Sequence, residues 1–165
     1  MQYGYSPVGE PLIVRNDSTE NVSYGITVTT SINNGIAVSA MRTNSNTAND
    51  FLNYVVGLIA SGFLTNGDIF ICDNASIHRA AHITAQLDAA LTPAVVRMVF
   101  LPTYSPELNP CELIFAKTKS YLRYHRGDGR FADEIIDAFD TITEMDVVRF
   151  YVECIDGVIR NGGDD

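Results

Sequence analysis

The chain has 165 residues, is 46% hydrophobic and carries a formal net charge of −9. This composition predicts one globular domain over residues 1–165 and excludes wholesale disorder. No apolar run reaches the roughly 18 residues of a membrane span and no secretory leader follows Met1, so we expect an intracellular protein with no membrane partner. Cys72, Cys111 and Cys154 fit neither a disulfide framework nor a zinc motif, which agrees with a reducing compartment.

The acidic balance argues against a dedicated nucleic-acid-binding protein, because such proteins usually carry a basic surface. The charge is unevenly distributed, however. Residues 113–130 carry five basic side chains and one acidic one, whereas residues 131–165 carry ten acidic and two basic ones. The basic segment, in which Tyr121 and Tyr124 are interleaved, is either a solvated helix face or a phosphate-contacting surface. Its basic residues are Lys117, Lys119, Arg123, Arg126 and Arg130.

The first third of the chain predicts strands. Residues 11–16, PLIVRN, predict a short strand. Apolar side chains alternate over residues 22–32, which is the period of a half-buried strand. Asn34 and Gly35 then predict a tight turn into a second strand over residues 35–42, so that the two strands form a hairpin.

The middle of the chain alternates between helices and strands. Thr47 and Asp50 predict a capping box at the start of a helix that ends near Gly62. The apolar run at 67–74 predicts a central buried strand, and a second such strand follows at 95–102 after a helix at 79–91. The buried face of the first helix is expected to consist of Phe51, Val55, Leu58 and Ile59.

Three helices are predicted to close the chain. The first runs from Pro110 to Tyr124, and the last begins at Thr143. The order of elements predicts an α/β fold, in which an antiparallel hairpin leads into strands that helical crossovers connect. The inward side chains of the last two helices are expected to be Phe131, Ile135, Ile136 and Phe139, and Val147, Phe150, Tyr151 and Cys154.

Two carboxylates stand where an α/β sheet usually forms its site. Asp73 ends the first central strand, and Glu112 begins the helix after the second. Oxygen ligands of this kind suit Mg²⁺ or Mn²⁺, and such ions support phosphodiester cleavage. Each residue also has a structural interpretation: Asp73 as a turn residue, and Glu112 as the third position of a capping box begun by Asn109 and Pro110.

Several stretches together resemble the transposases of the DDE superfamily, of the mariner-like kind and their bacterial insertion-sequence relatives. "DNASIH" at 73–78 resembles the motif of the second aspartate, and "LPTYSPELNPCE" at 101–112 resembles the segment that leads to the third acidic residue. Phe115 and Lys119 continue that match. The 38 residues between the two acids suit the family, and the resemblance extends to "YGYSPVGEP" at 3–11 and to "ITEMDVVRFYVECIDG" near the end.

The resemblance implies a ribonuclease H-like mixed sheet, with an antiparallel hairpin, parallel strands and flanking helices. It also implies DNA strand cleavage and transfer with Mg²⁺ or Mn²⁺, DNA transposon ends and target as partners, a homodimer, and no small-molecule cofactor. The location would be the nucleus in a eukaryote and the cytoplasm or nucleoid in a bacterium. The implied residues are Asp73 and Glu112 as catalytic metal ligands, Asn74, His78 and Asn109 as supporting residues, and Lys117, Lys119 and Arg123 as DNA-backbone contacts.

One departure from the family pattern concerns its first aspartate. That residue belongs on a strand just before the 3–11 segment, and Asp17 is a poor substitute for it. We therefore expect the C-terminal portion of a transposase, without the first strand and first carboxylate, and with weak or no nuclease activity. The alternative is an inactive transposase-derived module that binds DNA or protein.

Overall fold

The computed structural model describes residues 12–13, 23–38, 46–125 and 130–161, with the backbone alone described at 12–13, 23 and 158–161. Some of the features predicted above lie outside the described residues. They are the 3–11 segment, Asp17, Arg126 and parts of the strands predicted at 11–16, 22–32 and 35–42.

The chain divides into two compact units. Residues 1–27 and 38–100 form the first, and residues 28–37 and 101–165 form the second. A single domain over 1–165 stays a prediction. The strands are β1 (Leu12–Ile13), β2 (Ser23–Tyr24), β3 (Val28–Ser31), β4 (Gly35–Val38), β5 (Ile69–Cys72) and β6 (Arg97–Phe100). The helices are α1 (Ala48–Ala60), α2 (Ala81–Leu91), α3 (Pro110–Tyr124), α4 (Phe131–Asp140) and α5 (Glu144–Asn161), with 3₁₀ turns at Ser76–Arg79 and Pro106–Leu108.

Helix α1 of the first unit begins at the predicted capping box. The Thr47 hydroxyl accepts the Asp50 amide at 3.2 Å, and the Asp50 carboxylate accepts the Thr47 amide at 3.1 Å. Gly62, at φ 73°, follows the helix end, as predicted, because glycine tolerates this left-handed conformation. The core of the unit is formed by Phe51, Val55, Leu58, Leu64, Phe70, Cys72, Ile83, Leu87, Leu91 and Val96.

Strands β5 and β6 pair in parallel, with Ile69 opposite Arg97 and Cys72 opposite Phe100. Only alternate residues of β5 are buried, and Ile69 and Ile71 are exposed. The prediction of a strand buried on both faces was therefore wrong. A continuous apolar run indicates side chains that suit a strand, but it does not say how many faces are covered.

The second unit contains the β3–β4 hairpin and the last three helices. The turn between the strands occupies residues 32–34, and Gly35 adopts φ 72°, which confirms the predicted turn. Helix α3 packs against both α4 and α5. The buried side chains of this unit are Ile114, Thr118, Ile135, Ala138, Phe139, Val147, Phe150 and Cys154.

Tyr151 connects α5 to the hairpin. Its hydroxyl donates to the carbonyl of Thr30 at 2.8 Å. Burial, with smaller contributions from the nearby Cys111 and Cys154 thiols, raises the pKa of Tyr151 to about 12. The phenol therefore stays neutral and keeps its proton for the Thr30 carbonyl.

No helix in the described ranges combines the length and apolarity needed to cross a bilayer.

The turn between α2 and β6 contains a strained residue. Val95 has φ 54°, and its carbonyl accepts the Gly67 amide at 3.1 Å. A β-branched side chain is costly in the left-handed region, whereas asparagine tolerates it.

We expect Val95→Asn to raise the free energy of unfolding by about 1 kcal/mol, because it relieves this strain without adding glycine's backbone entropy. Urea denaturation would measure the change. Thr92→Asn is the matched control, since Thr92 lies in the same turn with φ −60°. An equal gain from both variants would contradict the assignment of strain to Val95.

Candidate active site

Asp73 directly follows β5, at the edge of the sheet where β6 also ends. Parallel strands bring their carboxyl ends to one edge, and ligands commonly bind there. The Asp73 side chain is 36% exposed, so a ligand can reach it. One carboxylate oxygen, Oδ1, accepts the Ala75 amide at 3.0 Å, which forms a local turn. The turn interpretation is correct, and it still leaves part of the carboxylate accessible.

His78 lies against the same carboxylate. Its Nδ1 atom is 2.7 Å from Asp73 Oδ1, which is ion-pair distance, but this buried nitrogen has no partner with the geometry of a hydrogen bond among the described residues. The imidazole also packs against the ring of Phe51, with the ring centroids 4.1 Å apart. The histidine is therefore fixed between an aromatic ring and the carboxylate that it orients.

The charge of Asp73 follows from these contacts. The close contact with His78 is the main cause that holds the pKa of Asp73 below its ordinary value, and the Ala75 amide acts in the same direction, while partial burial opposes both. Asp73 is thus ionised at neutral pH, which is the state that binds a cation. Both contacts involve Oδ1, so Oδ2 takes neither of them.

Asn74 has a supporting position. Its side-chain oxygen accepts a 2.8 Å hydrogen bond from Arg79, whose guanidinium lies 5.4 Å from the centre of the Phe100 ring. Arg79 therefore links the residues at the ends of β5 and β6. The sequence analysis missed Arg79, because nothing in residue spacing shows that the 3₁₀ turn brings its guanidinium back to Asn74.

Glu112 occupies the first turn of α3 in the second unit and is half-buried. Asn109 is the N-cap and Pro110 the first helical residue, as predicted. The Asn109 side chain accepts the Cys111 amide at 3.1 Å, whereas a capping box would direct it to the Glu112 amide. The Glu112 amide donates instead to the Asn109 carbonyl at 3.0 Å. Asn109 thus caps the helix as predicted, but its side chain accepts the Cys111 amide and not the Glu112 amide.

Tyr104, in the loop before α3, is a second feature that the sequence analysis missed. Its φ is 60°, and its side chain is fully exposed. An aromatic residue rarely adopts this left-handed conformation, and strain of this kind concentrates at functional sites. The only signal in the sequence is an aromatic residue among turn formers, which does not predict the dihedral angle.

The three predicted phosphate-contacting side chains differ in their surroundings. Lys117 lies 2.6 Å from the Asp146 carboxylate of α5, so its charge is already paired within the protein. Lys119 and Arg123 are exposed and lie four residues apart, on the same face of α3. These two remain suitable for an external anion.

The structure thus brings Asp73, Asn74 and His78 together in the first unit, and Asn109 and Glu112 together in the second. Within the described residues, no three His, Cys, Asp or Glu side chains cluster closely enough to hold a metal ion. The joint use of Asp73 and Glu112 as metal ligands stays a prediction.

Comparisons with known proteins support the resemblance. A family model described as DDE superfamily endonuclease matches residues 1–133. A chain in the cryo-EM structure of the simian T-cell lymphotropic virus intasome in complex with PP2A regulatory subunit B56 gamma is also similar, with 15% identity and a TM-score of 0.52. That match covers 81% of this chain and 46% of the other, so this chain spans less than half of its length. A search of curated proteins found no match. The predicted ribonuclease H-like fold is confirmed.

We expect His78→Phe to raise the pKa of Asp73, because the variant keeps an aromatic ring against Phe51 but removes the imidazole contact that most favours the ionised carboxylate. Carboxyl ¹³C shifts followed through a pH titration would measure this change. His82→Phe, at an exposed position of α2, is the control. An unchanged Asp73 pKa in His78→Phe would contradict the role assigned to the imidazole.

Asp146→Asn is expected to lower the free energy of unfolding by about 1–2 kcal/mol at neutral pH, because Asp146 caps α5 through Thr143 and pairs with Lys117. The Lys117 hydrogen bond is the main cause that lowers the pKa of Asp146. The contribution of Asp146 to the free energy of unfolding is therefore complete above its pKa in the unfolded chain, about 3.9. It is lost as the pH falls through the lower pKa that Asp146 has in the folded protein.

Denaturation curves at several pH values would show the difference between wild type and Asp146→Asn shrinking below about pH 4. Asp50→Asn removes the corresponding box carboxylate of α1 and is expected to cost less at neutral pH. Equal losses in the two variants would show that the Lys117 pair adds nothing.

Proposed function

Because this chain belongs to the DDE superfamily endonuclease family, we propose that it is a transposase- or integrase-like domain that cleaves and transfers DNA strands with a divalent cation. The observation that carries the proposal is the ionised, oriented carboxylate of Asp73 at the edge of the parallel strand pair. Glu112 lies within the same matched stretch, residues 1–133. Both side chains supply oxygen ligands.

The local chemistry fits a hard cation such as Mg²⁺ or Mn²⁺. Asp73 offers Oδ2, because the contacts with His78 and Ala75 both involve Oδ1, and those contacts fix the orientation of the carboxylate. Asp73 and Glu112 would hold the ion. When bound, such an ion activates the attacking oxygen and stabilises the leaving oxygen of a phosphodiester.

Contacts to DNA would come from groups that do not need the metal. Lys119 and Arg123 present two exposed positive charges on α3, and Tyr104 presents an exposed ring on which a base can stack. These groups favour a second candidate function, which is a DNA-interaction module without catalysis. The two candidates can be distinguished experimentally. Strand cleavage requires the metal and its ligands, whereas DNA binding by an interaction module requires neither.

The first measurement is Mn²⁺ binding followed by paramagnetic broadening of amide NMR signals. We expect broadening around Asp73 and around Glu112, and its loss in Asp73→Asn and Glu112→Gln. Asp88→Asn, which changes an exposed acid of α2, is the matched control. Broadening that persists in Asp73→Asn would contradict the proposed ligand.

The second measurement is nicking of supercoiled DNA with Mn²⁺, together with DNA binding by fluorescence anisotropy. Where nicking occurs, we expect each carboxylate variant to reduce it by more than about 100-fold, because loss of even an outer-shell partner of a metal site costs up to that amount. DNA binding that survives both EDTA and Asp73→Asn, without metal-dependent nicking, would favour the interaction module. Nicking unaffected by Asp73→Asn would contradict the proposed function.

A further inference from the structure

Arg79 is held in place by two uncharged partners. Its Nη1 atom donates a 2.8 Å hydrogen bond to the side-chain oxygen of Asn74, and its guanidinium carbon lies 5.4 Å from the centre of the Phe100 ring. A guanidinium has five N–H donors, and the Asn74 bond takes one of them. The side chain is exposed, so its position is restricted while its charge stays accessible.

The charge of Arg79 is not neutralised by a carboxylate. Lys117, Arg130 and Arg149 each form an ion pair with an aspartate, at 2.6, 3.1 and 3.4 Å. In the ranges of the chain that the structure describes, no such pair includes Arg79. An external anion is the partner that a restrained guanidinium of this kind recognises, and the oxygens of a phosphate match its planar fork of donors.

Arg79 lies at the edge of the sheet that carries Asp73. Asn74 follows Asp73 directly, and Phe100 is the last residue of β6, so the two partners of the guanidinium stand at the carboxyl ends of β5 and β6. Asp73 has its own close contact with His78, so the acid and the guanidinium do not neutralise each other. A group that binds anions and a group that binds cations are thus placed at one edge of the sheet.

A purely structural role explains only part of this arrangement. A link between two strand ends accounts for the contacts of Arg79 with Asn74 and Phe100. It does not account for a restrained positive charge without an acidic partner, because the chain has 20 acidic side chains and only 11 basic ones. Binding of a phosphate accounts for both the restraint and the accessible charge.

We propose that Arg79 is a phosphate-binding residue of the Asp73 site, where it contacts a backbone phosphate of the DNA strand. The inference rests on the proposed function, which supplies DNA as the substrate. Asn74 and Phe100 are positioning residues, because they restrain the guanidinium before the DNA binds and so reduce the entropy that binding costs. A phosphate at this edge lies beside the carboxylate that would hold the cation.

Fluorescence anisotropy of a DNA duplex in EDTA, at several salt concentrations, tests the contact without metal or cleavage. We expect Arg79→Gln to weaken binding about tenfold and to reduce the slope of log Kd against log salt concentration by about one, because one phosphate contact is lost. Arg97→Gln is the matched control and should leave the slope unchanged. It removes an exposed arginine from the first residue of β6, at the opposite end of the same strand pair.

Arg79→Lys separates the charge from the geometry of the side chain. We expect this variant to keep the wild-type salt slope and to lose about threefold in affinity, because an ammonium group cannot contact two phosphate oxygens as a guanidinium does. Circular dichroism would establish that all variants are folded. A reduced slope in Arg79→Lys would contradict a role for the charge.

A double-mutant cycle with Asp73→Asn tests whether Arg79 belongs to the Asp73 site. Residues that act on the same phosphate show coupled losses, whereas distant residues show independent ones. In Mn²⁺, we expect Arg79→Gln combined with Asp73→Asn to bind the duplex at least about threefold more tightly than the product of the two single losses. Arg97→Gln combined with Asp73→Asn should give the product itself.

The outcomes distinguish this inference from the proposed function. An unchanged affinity and salt slope in Arg79→Gln, beside nicking that still needs Asp73, would overturn the inference and leave the proposed function intact. Independent losses in the double-mutant cycle would overturn the assignment of Arg79 to the Asp73 site. A wild-type protein that binds no DNA, with or without Mn²⁺, would overturn both.

Discussion

The 2.7 Å contact between Asp73 and His78 is the interaction on which the first unit's candidate site depends. This contact keeps the carboxylate ionised and fixes its orientation, and it involves only Oδ1 of the two carboxylate oxygens. The contact itself depends on packing, because the ring of Phe51 of α1 packs against the imidazole. A core residue of a helix thus determines the orientation of a carboxylate at a strand end. For this reason we expect a change in the apolar core around Phe51 to change the ionisation of Asp73 at the edge of the sheet.

Caps and candidate ligands are not exclusive alternatives in this protein. Asp73 forms a turn with Ala75 and retains an oxygen for another ligand. Asn109 and Pro110 determine where α3 begins, and so determine the position of Glu112 in its first turn. A rigid local bond of this kind lowers the entropy that a ligand site would lose on binding. The structural interpretation of each residue therefore supports the functional one.

Local signals in the sequence predicted most of the described elements and their caps. The capping box of α1, the Gly35 turn and the N-cap of α3 depend on residues within a few positions of one another, so the sequence alone contains them. What it could not predict depends on distant parts of the chain. The exposure of Ile69 and Ile71 depends on what packs over the sheet, and the contact of Phe51 with His78 joins residues 27 positions apart. The left-handed Tyr104 was missed because its residue type opposes that conformation.

The uneven charge of the chain limits where DNA could bind. A net charge of −9 repels a polyanion at long range, so any contact must rely on local positive charge and must weaken steeply with salt. The acidic residues also act at short range, since Asp146 takes the charge of Lys117 while it caps α5. The ion pair that stabilises α5 thus neutralises one positive charge of the basic segment, that of Lys117. Of its described residues on α3, Lys119 and Arg123 retain exposed charge, so a DNA surface on this helix must be centred on them rather than on Lys117.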